Sequence, residues 1–238
     1  MEVLTIHDIR KEYFKLDLNR FQLTFDDGLF SQYYYCPLFS NYETERIYFV
    51  TTSFIKPGKL RKRFEGEYTS YLKSKKYMLN TFIGKNFDHF MTVEELIFLS
   101  TQKNVSIGAH SHYHDVIVTR QHPRKKKSLG KWKLERFQNS SEILDKDLCV
   151  RSRLAFQGLS LANGRLTPRS ESKWEEYIKY DTEKCLKWFE SNLGLVPDMY
   201  SFPFNEYSEK LISILRSFGF QKFFGARAGK RSDIESIA

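Results

Sequence analysis

Several short stretches of the chain alternate between apolar and polar residues, and each reads as a β-strand. In Phe21–Phe25, Phe21, Leu23 and Phe25 alternate with Gln22 and Thr24 before the run breaks into Asp26-Asp27-Gly28. Arg46–Ser53 (RIYFVTTS) is a second strand, and Val105, Ile107 and Ala109 alternate along a third. Met199–Phe204 and Phe220–Ala226 read as later ones. Helical spacing appears between them. Thr92-Val93-Glu94-Glu95 is a capping box ahead of Val93, Leu96, Ile97 and Ser100, which face one way. Trp174, Ile178, Cys185 and Phe189 form the stripe of a helix from Ser172 to about Asn192, stopped by Gly194. Leu211, Ile214, Leu215 and Phe218 mark a shorter helix that ends at Gly219. This alternation of strand and helix predicts an α/β fold with a parallel sheet. Residues 116–170 break the pattern: a basic block (TRQHPRKKKSLGKWK) and a turn-rich run (LAFQGLSLANGRLTPRS) read as an excursion from the rim of the sheet, with some helix around Ser140 to Asp147.

The chemistry gathers at two strand ends. Asp26 and Asp27 end one buried strand, and Gly28 lets the backbone turn, which puts two carboxylates at the rim of a sheet. Alone, such a triplet is also an ordinary solvated turn. The third strand runs out into His110-Ser111-His112-Tyr113-His114. One helical turn at this point would place His110 and His114 on the same side. Two imidazoles and one carboxylate make a three-ligand set for a borderline divalent ion, with coordination positions left open as in catalytic sites.

On these residues the chain resembles the polysaccharide deacetylases of the NodB-homology type, carbohydrate esterase family 4. The first motif of that family, TFDDG, is present at residues 24–28, and its second, H-[ST]-x-x-H, at residues 110–114. The third, R-x-P-Y, is similar to Tyr200-Ser201-Phe202-Pro203-Phe204-Asn205, with Ser201 where the family has arginine. The resemblance implies a distorted, reduced (β/α) barrel, nominally of seven strands with fewer visible here. It would form a single domain over residues 1–238 with a family-atypical insertion at about 116–170. The implied activity is metal-dependent removal of an N-acetyl or other N-acyl group from an amino sugar or sugar precursor, in surface polysaccharide or lipopolysaccharide biosynthesis. Asp27, His110 and His114 would hold one divalent ion, zinc first, with iron, cobalt or nickel as alternatives. Asp26 would be the general base, and Ser111 would support the histidine loop through a hydrogen bond. The backbone N–H of Phe204 would meet the oxyanion, and Pro203 and Phe204 would touch substrate. The arginine that orients the base in the family is replaced by Ser201, with Arg165 or Arg227 as substitutes. The late histidine that serves as general acid has no counterpart after His122. That leaves His112, His122 or a missing C-terminal strand. A catalytically impaired sugar- or metal-binding relative is the alternative reading.

Composition narrows the remaining classes. A hydrophobic share of 41% is that of a globular chain, not a disordered one. The net charge of +9 and the basic run from Lys56 to Lys76 suit an anionic partner. No nucleic-acid module, P-loop or dinucleotide fingerprint accompanies them, so no nucleic-acid partner is expected, although charge alone would also suit a basic nucleic-acid or membrane-surface protein. The expected partner is an N-acetylated sugar, nucleotide- or lipid-diphosphate-linked, with an anionic membrane surface as a second. Cys36, Cys149 and Cys185 have no metal or disulfide spacing, which suits a reducing compartment. The opening MEVLTIHDIRKEYFKLDLNRF has no apolar run of leader length. The expected location is therefore cytoplasmic, peripheral at the inner membrane face.

Overall fold

A computed structural model describes residues 2–69, 72, 74–120, 148–162 and 165–225. The helix expected at Ser140 to Asp147, His122, Arg227 and most of the second basic block lie outside these described residues. The elements run β1 (Glu2–Ile6), β2 (Phe21–Phe25), α1 (Phe30–Tyr34), β3 (Arg46–Val50), α2 (Ser74–Phe82), α3 (Val93–Ser100) and β4 (Val105–Ala109). Then come β5 (Val116–Arg120), β6 (Leu148–Ser152), β7 (Leu159–Ala162) and β8 (Arg165–Pro168). The chain continues through α4 (Glu171–Leu193), β9 (Met199–Ser201), α5 (Glu209–Ser217) and β10 (Lys222–Phe224).

Six parallel strands pair in the order β1-β2-β3-β4-β9-β10. The spatial order follows the chain order without reversal, which is the winding of a barrel and not of a doubly wound sheet. The fold is a distorted, reduced (β/α) barrel, with six parallel strands among the described residues. β1 is an addition to the expected set. Only Val3 and Ile6 of its five residues are fully buried, so its apolar signal is weak.

The period of two sorts the side chains of each strand. Phe25, Tyr48, Val50 and Tyr200 face outward into the main core beneath the helices, where Phe25 stacks on Tyr48 at 4.6 Å between centroids. Ile47, Phe49, Met199 and Phe224 form a separate, smaller cluster that fills the barrel interior. Thr24 also faces inward and pairs with Thr5 across the sheet at 2.9 Å. Phe49 needs Gly108 beside it, since a Cβ at 108 would lie 2.5 Å from the ring. Gly108→Val should therefore cost about 1–3 kcal/mol of stability. An unchanged denaturation midpoint would refute this packing.

The helices follow their caps. Thr92 and Glu95 form the reciprocal box at α3. The buried face of that helix is Val93, Glu95, Leu96 and Leu99, whereas Ile97 is 43% exposed and Ser100 is exposed, which corrects the expected stripe. Glu95 is buried because Arg61 pairs with it at 2.7 Å, so this member of the basic run is a structural tie. In α4, Ser170 caps the N-terminus and Gly194, at φ 63°, ends the helix. Two expected strands are shorter than read: β9 stops at Ser201, where Pro203–Asn205 forms a 3₁₀ turn, and β10 spans Lys222–Phe224.

The excursion at 116–170 contains a second sheet, antiparallel, in the order β6-β5-β7-β8. It is fastened to the loop after β9, where Glu206 accepts from Arg151 Nε at 2.5 Å and from the Ser152 N–H at 2.7 Å. Among the described residues, no helix is long and apolar enough to cross a membrane.

Candidate functional site

Parallel strands bring all their C-terminal ends to one rim, and the period of two decides which side chains look into the barrel mouth. On β2 the inward set Gln22 and Thr24 continues to Asp26; on β4, Ser106 and Gly108 continue to His110; on β9, Met199 is followed by Ser201. Asp26, His110 and Ser201 are all buried, and they meet. The Ser201 hydroxyl donates to the Asp26 carboxylate at 3.2 and 3.3 Å. The Ser201 carbonyl accepts from His110 Nδ1 at 2.8 Å. A carbonyl can only accept, so Nδ1 carries the proton and Nε2 presents its lone pair.

Asp27 leaves the line of the strand. It has a left-handed φ of 75°, followed by Gly28 at 76°, and this turn carries its carboxylate to the imidazoles. The Tyr77 hydroxyl, from α2, donates to Oδ2 at 2.8 Å. Oδ1 lies 3.4 Å from His110 Nε2 and 3.5 Å from His114 Nε2. The two histidines do not share a helical turn, contrary to the expectation from their spacing. Ser111 and His114 are both left-handed, at φ 67° and 50°, and this loop brings the two rings to 5.2 Å between centroids. The Ser111 hydroxyl accepts from the His114 N–H at 2.9 Å. Asp181 on α4 accepts from the N–H groups of His112 and Tyr113 at 2.9 and 3.0 Å. Burial pushes the Asp181 carboxyl up to about 6 against those two bonds. His112 points its Nδ1 at the Thr52 hydroxyl, 2.8 Å away. After β9, Phe204 takes a left-handed φ of 62°, and its ring lies 4.5 Å from that of His114.

These residues fit a divalent ion. One ligand atom from each of Asp27, His110 and His114 lies within 4.8 Å of the others, and all three residues are buried. Separations of 3.4 and 3.5 Å are long for hydrogen bonds. They match the edge of about 3.4 Å in a tetrahedron with bonds of about 2.1 Å. Asp27 Oδ1 is buried without a hydrogen-bond partner, a costly state that an ion relieves. Burial opposes the charge on Asp27, but the facing imidazoles of His110 and His114 outweigh it and hold the carboxyl below its usual range. Burial pushes His114 down to about 4 despite Asp27, which keeps the imidazole neutral and able to ligate at pH 7.

Sequence reasoning missed Tyr77, Asp181 and His7. The signal for Asp181 is a carboxylate inside the apolar stripe between Ile178 and Cys185. The signal for His7 is an echo: Leu4-Thr5-Ile6-His7-Asp8 repeats Leu23-Thr24-Phe25-Asp26-Asp27, and the strands pair in that register. His7 thus stands beside Asp26, and the Gln32 side chain bonds to both backbone carbonyls, at 2.8 and 2.6 Å. Thr5 faces inward, so the period carries His7 to the same face, at the exposed mouth of the barrel. Its imidazole is close enough to act on both Asp27 and His114. Of the suggested arginine substitutes, Arg165 is exposed at the start of β8 and Arg227 lies outside the described residues.

No protein-family model matches the sequence, and no curated protein matches it by sequence. Solved structures do resemble it. The BpsB deacetylase domain from Bordetella bronchiseptica superposes with a TM-score of 0.58 at 15% identity, covering 89% of this chain and 66% of that one. A de-N-acetylase from Aggregatibacter actinomycetemcomitans gives 0.58 at 13% identity, covering 98% of this chain and 75% of that one. The chain spans just under two thirds of the first neighbour's length. At such identities the likeness is one of fold, which the chain shares with these two deacetylases.

Proposed function

We propose that the chain is a metal-dependent carbohydrate N-deacetylase, hydrolysing an N-acyl group on an amino sugar. The carrying observation is the buried Asp27–His110–His114 group at the rim of this fold, next to a second carboxylate with a different set of contacts. Zinc is the first choice, because two imidazoles and one carboxylate are borderline donors. When bound, the ion supplies Lewis acidity that polarises the acyl carbonyl and makes water acidic enough to attack near neutral pH.

The chain's own residues do the rest. Asp26 takes the proton of the attacking water. The Ser201 hydroxyl holds that carboxylate in place, the task of the absent arginine, by one neutral donor in place of a charged fork. The backbone N–H of Phe204 donates to the oxygen that gains charge, and Pro203 and the Phe204 ring border the substrate. Ser111 fixes the histidine loop. The leaving amine must be protonated before it departs, and His7, exposed at the mouth beside Asp26, is the group we assign to that step. We place the reaction in surface-polysaccharide assembly in a reducing compartment.

Acetate release from a panel of acetamido sugars tests the reading, with the metal-loaded and chelated chain compared. Release that depends on metal supports it. A chain that binds its ion and releases nothing would instead be a binding relative, the reading favoured by serine at position 201. Ser201→Ala should lower kcat about tenfold, the low end for one hydrogen bond to a charged group. Its metal content should not change, and an unchanged kcat would remove Ser201 from the mechanism.

A further inference from the structure

A cavity of about 210 Å³ opens at the rim next to Asp27, lined by residues that include Asp8, Ser31, Thr69, Tyr77, Asp88 and His89. Tyr77 joins the two places, since its ring lines the cavity and its hydroxyl binds Asp27. The volume is below the roughly 300–1,000 Å³ of drug-sized sites, so the cavity takes one ring and not an oligomer. Among the described residues its lining carries two carboxylates and no lysine or arginine. Arg10 acts on Asp8 and Lys76 on His89, but neither lines the cavity. Arg61 lies over the lining ring of Phe30 at 3.7 Å, with its charge met by buried Glu95. Burial pushes the Asp8 carboxyl up, against the opposing influence of Ser31, the backbone of Leu72 and Arg10.

We propose that this cavity is a subsite for a pyranose ring bearing a free ammonium group, next to the ring that is deacylated. The hydroxyls of Ser31 and Thr69 and the imidazole of His89 suit the ring's hydroxyls, and Asp8 and Asp88 suit its cation. The two carboxylates favour as substrate class an amino-sugar chain already carrying free amines. The word substrate rests on the deacetylase reading; the binding preference does not.

The test is ligand-observed NMR titration of the metal-loaded full chain with D-glucosamine and with N-acetyl-D-glucosamine, followed by a β-linked disaccharide carrying one free amine and one acetamide. Glucosamine should bind about tenfold more tightly than its N-acetyl form, as one charge-assisted contact predicts. Asp8→Asn, and separately the exposed-site variant Asp88→Asn, should shrink that ratio while metal content stays at wild type. The mixed disaccharide should release acetate faster than its fully acetylated counterpart. Equal affinities in wild type, or a ratio that survives both substitutions, overturns the subsite. A glucosamine preference without acetate release from any sugar keeps the subsite and overturns the hydrolase. Acetate release without the preference does the reverse.

Discussion

Asp26→Asn should keep its metal and lose hydrolysis by about 10²–10⁴-fold, the worth of a general base. The two adjacent aspartates are separated by a change in backbone hand. Asp26 continues the inward face of β2, whereas Asp27 turns away at φ 75° to the imidazoles. Only Asp27 belongs to the three-ligand group, so an amide at position 26 leaves the ion's donors intact. The amide oxygen can still accept from the Ser201 hydroxyl, which limits structural damage. Acetate release and metal content measured on one preparation decide the point. Retained turnover removes Asp26 as the base, and lost metal makes its role structural.

His7→Gln should reduce kcat for acetamido sugars by a similar factor of about 10²–10⁴. The discrimination lies in the leaving group. An amine leaves only once protonated, whereas an activated aryl acetate departs as a stable phenolate. The variant should therefore fail on the sugar amide while keeping most of its esterase activity on 4-nitrophenyl acetate. Equal losses on both substrates would point to damage to the whole site, and no loss on the amide would take His7 out of the reaction. The assignment rests on register: Ile6 pairs with Phe25, and the inward Thr5 sets the face on which His7 follows.

Much of this was legible in the sequence where chemistry and period coincide. Phe21–Phe25 and Val105–Ala109 alternate cleanly and end in residues that are costly to bury without a purpose, so the strands and the three residues that converge at the rim could be read together. β1 was not legible in the same way because an edge strand is half exposed and needs fewer apolar positions. Its meaning comes from the partner: only beside β2 does Thr5-Ile6-His7 become a copy of Thr24-Phe25-Asp26. The spacing of His110 and His114 suggested a helical turn because four residues is the helical repeat, yet two left-handed residues achieve the same convergence. Tyr77 and Asp181 act from helices remote in sequence, so no local pattern names their targets. Arg61 shows the limit of counting charge, since its guanidinium serves Glu95 and the backbone of Asp88 and Phe90.

The most direct measurement is a crystal structure of the zinc-loaded chain, with the ion located by its anomalous signal. The account predicts one ion bonded at about 2.0–2.2 Å to Asp27, His110 and His114, with Asp26 outside the coordination sphere. An ion bound elsewhere, or no ion at that rim under saturating zinc, would contradict it.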